Sequence, residues 1–338
     1  MSGRESRTIL VTGGAGYIGS HACKALARAG YTPVAVDNLV NGHEWAVRWG
    51  PLERADVGDR GRLDEIFASH RPSAVLHFAA FAYVGDSVRD PGAYYRNNVA
   101  GSLTLLEAAR DHGVKRFVFS STCNTYGEPR VNPIPESHSQ IPINPYGASK
   151  LMVERMLQDF DASHGIRSIA LRYFNAAGAD PELEIGEDHD PETHLIPLVL
   201  RAAAENAKPL EIYGDDYDTP DGTCVRDYIH VADLADAHLL ALARLEKGSE
   251  SGAYNLGNGR GFSVREVIRT AEEVTGRTIP ARTVARRSGD APTLVGDATK
   301  ARSELGWRPR HAELRDILET AWGWECRQGR DGLQTSVG

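Results

Sequence analysis

Short β-branched runs alternate with amphipathic stretches through the first half of the chain, and that rhythm restricts the fold more than any other feature. "TILVT" (8–12), "TPVAVD" (32–37), "AVLHFAA" (74–80), "RFVFSS" (116–121) and "RSIALRYF" (167–174) read as buried strands. Between them, "SHACKALARAG", "GRLDEIFASH", "NNVAGSLTLLEAARDHG" and "SKLMVERMLQDFDASHG" carry helical spacing. Parallel strands need helix-length crossovers, so this alternation predicts a parallel sheet covered by helices on both faces. At 338 residues the chain can hold that sheet and a second, smaller part.

After Asn175 the rhythm breaks. "AAGADPELEIGEDHDPETHLIP" is rich in Gly, Pro and acids and predicts a long irregular excursion, a length that in a compact protein signals function. Helical and strand patterns resume at "HVADLADAHLLALARL", "GAYNLGNG", "SVREVIRTAEEVTG" and "ELRDILETAWGWE". The expected class is α/β, a doubly wound parallel sheet with a smaller C-terminal domain over its ligand edge. The division is 1–175 for the sheet, with about 228–258 returning to it, and 176–338 mainly for the second domain.

Composition narrows the function classes. No apolar run is long enough to span a bilayer, and "MSGRESRTILVTGG" has no signal-peptide core, so a cytoplasmic location is expected. Cys23, Cys123, Cys224 and Cys326 are scattered without disulfide or zinc spacing and read as reduced thiols. A net charge of −8 opposes a nucleic-acid surface, so any anionic ligand must be gripped locally. The histidines form no metal motif. His230 and His238 flank a helical stretch without a carboxylate pair and read as packing residues, so no metal site is expected.

"TILVTGGAGYIGSHACKAL" places Gly13, Gly14, Gly16 and Gly19 between the first strand and first helix. Glycines there permit a tight turn, close approach of backbone to a pyrophosphate, and close helix-to-strand packing, while the helix N-terminus favours negative charge. A lone glycine pattern is weak; here Asp37 ends the second strand, placed to accept adenine-ribose hydroxyls and repel a 2′-phosphate. The cofactor expected is NAD, and the sheet is of Rossmann type. Asp56, in "ERADVGD", stands where an adenine contact could form, although alone it reads as a solvated loop acid.

"NPYGASKLM" starts a helix. Asn144 can cap it, Pro145 fits its first position, and Tyr146 and Lys150 share one face. Of the twelve tyrosines only Tyr146 has a lysine four residues on. A phenol titrates near ~10, and a neighbouring ammonium together with a positive nicotinamide ring would lower that toward neutrality. A hydroxyl partner comes from the end of the "RFVFSS" strand, where Ser120, Ser121 and Thr122 compete and sequence physics does not choose.

With these motifs the chain resembles the extended short-chain dehydrogenase/reductases, and more narrowly the UDP-glucose 4-epimerase family along nearly its whole length. "VTGGAGYIGSH", "VDNL", "HFAA", "YYRNNVAG", "SSTCNTYGEP", "LRYFNAAGA" and "DGTCVRDYIHVADLADAH" carry the likeness. The resemblance implies Tyr146 as acid/base, Lys150 as its electrostatic partner and Thr122 as the hydroxyl that meets the reacting group. It implies NAD contacts from Gly13, Gly16, Tyr17, Ile18, Gly19 and Asp37, from Asn38, Asn41, Asp56 and Val57, and from Phe78, Ala79, Asn97, Lys150 and Tyr173. It further implies UDP-sugar contacts from Asn175, Leu195, Tyr213, Arg226, Arg287, Asp290 and Leu294, with Thr122 and Tyr146 at the sugar. Ala82 and His194 depart from the family's lysine and asparagine.

The implied reaction oxidises the sugar at C4 to a 4-keto intermediate, turns it about its diphosphate, and reduces it on the other face. NAD would stay bound throughout, and a homodimer is implied. Dehydratases of the superfamily carry acids just after the Ser/Thr; here Cys123 and Asn124 follow. UDP-xylose and UDP-arabinose remain open as substrates. Leu294, at a position that gates the sugar C2 substituent, leaves UDP-N-acetylglucosamine open as well. From other classes, a plain NAD-dependent alcohol dehydrogenase and a non-catalytic NAD sensor remain as rivals.

Overall fold

The strands of the first half inside the edge strand bury both of their faces, and the layers follow from that. In β1 (Thr8–Thr12), Ile9 and Val11 join one apolar cluster while Leu10 joins the opposite one. The computed structural model of the chain describes residues 7–204, 208–287 and 290–329. Alongside β1 lie β2 (Thr32–Asp37), β3 (Leu52–Arg54), β4 (Ala74–His77), β5 (Arg116–Thr122), β6 (Arg167–Tyr173) and β7 (Gly252–Leu256). They form one seven-stranded sheet in the order β7-β6-β5-β4-β1-β2-β3, every pair parallel.

The chain starts at β1, winds outward to β3, then returns to β4 on the other side of β1. The carboxyl ends of β1 and β4 therefore flank a topological switch point, where helix N-termini diverge and leave a crevice for a ligand. Helix α1 (Tyr17–Arg28) and helix α5 (Val231–Glu246) cover one face through Ala22, Leu26, Leu234 and Leu242. Helices α2 (Arg60–His70), α3 (Gly101–Asp111) and α4 (Pro145–His164) cover the other through Leu63, Phe67, Leu105 and Val153. A π-helical turn, Tyr95–Ala100, leads directly into α3.

The second half differs from its sequence reading in two places. A strand at Asn175–Ala177 pairs in parallel with Tyr228–His230, so the irregular part of the excursion is confined to residues 178–194. The helix Leu195–Ala202 and the parallel pair of Leu210–Tyr213 with Ala281–Val284 carry no legible period. That helix is apolar nearly all round because it is buried among Val264–Thr275 and Leu314–Arg327, through Ile196, Val199, Leu200, Val267 and Ile317.

Candidate active site

The turn after β1 tolerates no side chain where it matters. Gly13 has φ +70°, and a Cβ there would lie 2.6 Å from the Ala79 nitrogen; one on Gly19 would lie 2.1 Å from the Gly13 carbonyl oxygen. The first helical turn is pressed against the strand end as a result. Its N-terminus at Gly16 has no side-chain cap and no acid in its first turn, so the N–H groups ahead of Ser20, whose own N–H donates to the Gly16 carbonyl, are placed to meet an anion. These residues fit a dinucleotide pyrophosphate.

Asp37 sits beside this turn. Its carboxylate accepts from the Ala15 N–H at 3.0 Å and the Leu39 N–H at 2.8 Å, and burial pushes its pKa up against those bonds. Asn38 donates to Asp56 at 2.8 Å, and Asp56 also accepts from the Gly58 N–H at 2.7 Å, so this pair shapes the outer rim. Val57 is buried against Gly101 at the start of α3, and Phe78 packs on His238. The Tyr17 phenol donates to the Gly178 carbonyl at 2.6 Å, tying α1 to the excursion instead of pointing into the crevice.

Across the crevice, Asn144 caps α4 by accepting from the Gly147 N–H at 2.8 Å, with Pro145 in the first turn. Tyr146 and Lys150 stand on the face that meets the end of β5. The Lys150 ammonium donates to the Ser120 carbonyl at 2.9 Å and lies 5.9 Å from the Tyr146 ring centre. Burial lowers Lys150 to about 7, opposed by Glu154, and raises Tyr146 above its ordinary value, opposed by Thr122. Within the chain alone, then, burial dominates the phenol's titration.

The pleat of β5 separates the three competing hydroxyls. Ser121 faces away, where it bonds Glu154 beside the buried Glu154–Arg172 ion pair at 2.6 Å. Ser120 is engaged by the Tyr173 hydroxyl. Thr122 is the one within hydrogen-bonding reach of the Tyr146 phenol, and it accepts from the Asn124 amide at 3.1 Å. Asn97 donates to Asn98, whose own amide reaches Ser149 on α4 at 3.0 Å, so the π-helical turn is stitched to the same helix.

The opposite wall gathers the other site residues in two groups. Arg226 donates to the Ala291 carbonyl at 2.8 Å and lies 3.4 Å from Asp290; Leu294 sits directly across the ladder from Arg226. Arg287 stacks over the Tyr213 ring at 4.3 Å, and the Asp290 N–H donates to the Arg287 carbonyl at 3.3 Å, which joins the groups. Asn175 spends its amide N–H on the Asp227 carbonyl at 2.9 Å. Leu195 opens its helix behind His194, and Ala82 is exposed just before the helix Val84–Arg89.

Two features escaped the sequence reading. Asp227 is fully buried under this wall, accepting N–H groups from Asn258, Gly259 and Gly296; burial raises it to about 6 against those bonds. Its only signal was an acid inside "VRDYIH". The second is a convergence of Glu187, His189, Glu192 and His194 in the excursion.

Comparison with known proteins gives the family and the fold. The family model for the NAD dependent epimerase/dehydratase family matches residues 9–257. A UDP-glucose 4-epimerase from Rhizobium leguminosarum bv. trifolii is 54% identical over 96% of this chain and 98% of its own. A UDP-glucose 4-epimerase from Brucella ovis, solved with NAD, superposes with a TM-score of 0.91 at 52% identity, covering 93% of this chain and 97% of that one. The Stenotrophomonas maltophila UDP-glucose-4-epimerase, with bound NAD and formylated UDP-arabinopyranose, gives 0.92 at 42% identity over 96% and 99% of the two chains.

Proposed function

The chain belongs to the NAD-dependent epimerase/dehydratase family, and on that premise we propose that it interconverts UDP-glucose and UDP-galactose by inverting C4 of the sugar. The observation that carries this reading is the group of buried Thr122 and Lys150 with half-buried Tyr146 at the carboxyl end of β5, the sheet edge that also carries the glycine turn after β1. Bound NAD supplies the acceptor, and then the donor, for the C4 hydride. Tyr146 takes the C4 hydroxyl proton and later returns it, while Thr122 orients that hydroxyl.

Burial favours the neutral phenol, so Tyr146 would need added positive charge nearby to act as a base, which Lys150 and a bound oxidised cofactor would supply. Gly13, Gly16, Tyr17, Ile18, Gly19, Asp37, Asn38, Asn41, Asp56, Val57, Phe78, Ala79, Asn97 and Tyr173 are the proposed NAD contacts. The 4-keto sugar must turn over while its nucleotide stays held, and Asn175, Leu195, Tyr213, Arg226, Arg287 and Asp290 are the proposed grip, with arginine forks matched to phosphate oxygens. NAD is retained throughout, since its release would strand the keto sugar. Elimination of water is disfavoured: Asn124 has no proton to shuttle, and burial pushes the Cys123 thiol up to about 12.

We assign 1–175, with about 228–258, to NAD and 176–338 mainly to the UDP-sugar; β7 lying beside β6 supports the return. Tyr95, Leu103 and Met152 expose 37%, 39% and 46% of their surface beside and along the neighbouring α3 and α4, which supports a homodimer built on these helices. No described helix is long and apolar enough to cross a membrane, and the cytoplasm is the proposed location. A UDP-pentose is the second substrate class, because the Stenotrophomonas structure holds a formylated UDP-arabinopyranose. The test is to incubate purified protein with UDP-galactose without added NAD and resolve the nucleotide sugars. UDP-glucose accumulating to an equilibrium mixture is expected; no conversion even after NAD is supplied overturns the hexose reading.

A further inference from the structure

The excursion between Asn175–Ala177 and Leu195–Ala202 holds two clusters of charged side chains with different states of completion. In the first, Asp180, Glu182 and Glu184 surround the Lys24 ammonium at 2.6, 2.6 and 2.7 Å, so that cluster already holds its cation. In the second, the ligating atoms of Glu187, His189, Glu192 and His194 lie within 4.8 Å of one another. His189 Nδ1 and His194 Nδ1 both aim at Glu187 Oε1, at 3.1 and 2.7 Å. Glu192 Oε1 is 3.2 Å from His194 Nδ1. Its Oε2, on a side chain only 2% exposed, points toward His189 Nδ1 at 3.9 Å and has no hydrogen-bond partner.

We propose that Glu187, His189, Glu192 and His194 form a binding site for a divalent cation of the zinc class, which would brace the excursion from within. Two imidazole nitrogens and two carboxylate oxygens are a borderline donor set, suited to Zn²⁺ in four-coordinate geometry. Bonds of about 2.0 Å put tetrahedral donors roughly 3.3 Å apart, so the group needs to contract by about an ångström or so. Without metal, the two Nδ1 atoms can face these carboxylates only as N–H donors, and a metal ion would take the place of those two protons.

Arg201, 3.6 Å from Glu192 Oε2, is the nearest guanidinium, and it offsets one carboxylate in either state. The ligands are held from outside the cluster as well. Trp324 Nε1 donates to the Glu187 carbonyl at 2.9 Å, and His43 Nε2 bonds the Asp188 carbonyl at 2.7 Å. The His189 ring meets Tyr17 and Tyr83 edge-on at 6.3 and 6.1 Å. Such anchoring from both halves of the molecule means little ordering is left for the metal to drive.

The test uses the full chain, stripped with chelator and dialysed against micromolar Zn²⁺, with metal counted by mass spectrometry and Co²⁺ absorption recorded in parallel. One Zn²⁺ per chain is expected, with a Co²⁺ visible spectrum of tetrahedral N/O type and a melting temperature several degrees higher at hundredfold excess over Kd. His189→Ala and Glu192→Gln should each weaken binding about a hundredfold or more. Failure of the wild-type chain to hold metal at micromolar concentration overturns the proposal. So does a thiolate-to-cobalt charge-transfer band, which would place the metal on a cysteine such as Cys326, and so does undiminished binding by either variant.

Discussion

The two walls of the crevice are built to different standards of completeness. On the β5 side, Thr122 and Lys150 are 4% and 3% exposed, and each has partners fixed by strand and helix. On the opposite wall Tyr213 is 37% exposed, Arg287 lies open over its ring, and Arg226 reaches Asp290 only at 3.4 Å. The first wall is already held in place by its own hydrogen bonds, so in the proposed reaction its residues would act without rearranging. The second is loosely paired, which fits its proposed role as a grip that must let a sugar turn while holding a nucleotide.

That contrast can be broken by substitution. Tyr146→Phe should lower kcat about 1,000-fold with KM within a few-fold of wild type and unchanged circular dichroism, as expected for loss of an acid/base. An equal rise in KM would put Tyr146 on the grip instead. Lys150→Met should cost about 100-fold in kcat and also release NAD, read as loss of cofactor absorbance after gel filtration. Arg287→Ala should do the reverse of Tyr146→Phe, raising KM about 10-fold or more for UDP-sugars and leaving kcat and stability nearly unchanged.

The smallest effect is in the pH dependence of stability. Folding lowers Lys150 from 10.5 to about 7 by burial, so between those values the unfolded chain holds a proton that the folded chain has released. Stability from this group therefore rises with pH across that window, by at most about 1.4 kcal/mol per unit. Urea titrations of NAD-free protein at pH 7.5 and 9 should show wild type gaining relative to Lys150→Met; parallel behaviour would mean that Lys150 stays charged when buried.

The sheet was legible because its strands are buried on both faces and its helices on one, which writes two different periods into the sequence. The glycine turn, Asp37 and the Asn144 cap were legible because each occupies a position that local geometry restricts. Choosing among Ser120, Ser121 and Thr122 was not possible from the pattern: period two separates Ser121 from its neighbours, but only packing gives Ser120 to Tyr173 and Thr122 to Tyr146. Leu195–Ala202 was hidden because it is short and its less buried face, Leu195, Leu198 and Arg201, is itself largely apolar. "EDHDPETH" was hidden because a loop imposes no period on which ligand spacing could be read.

The most direct test of the central claim follows the hydride. UDP-galactose carrying deuterium at C4 would be converted in the presence of excess unlabelled external NADH, and the UDP-glucose formed would be examined by mass spectrometry. Oxidation and re-reduction through one retained cofactor predict that the deuterium stays at C4 in essentially every product molecule. Wash-out of the label into the external pool would contradict it and point to a dehydrogenase that exchanges its cofactor.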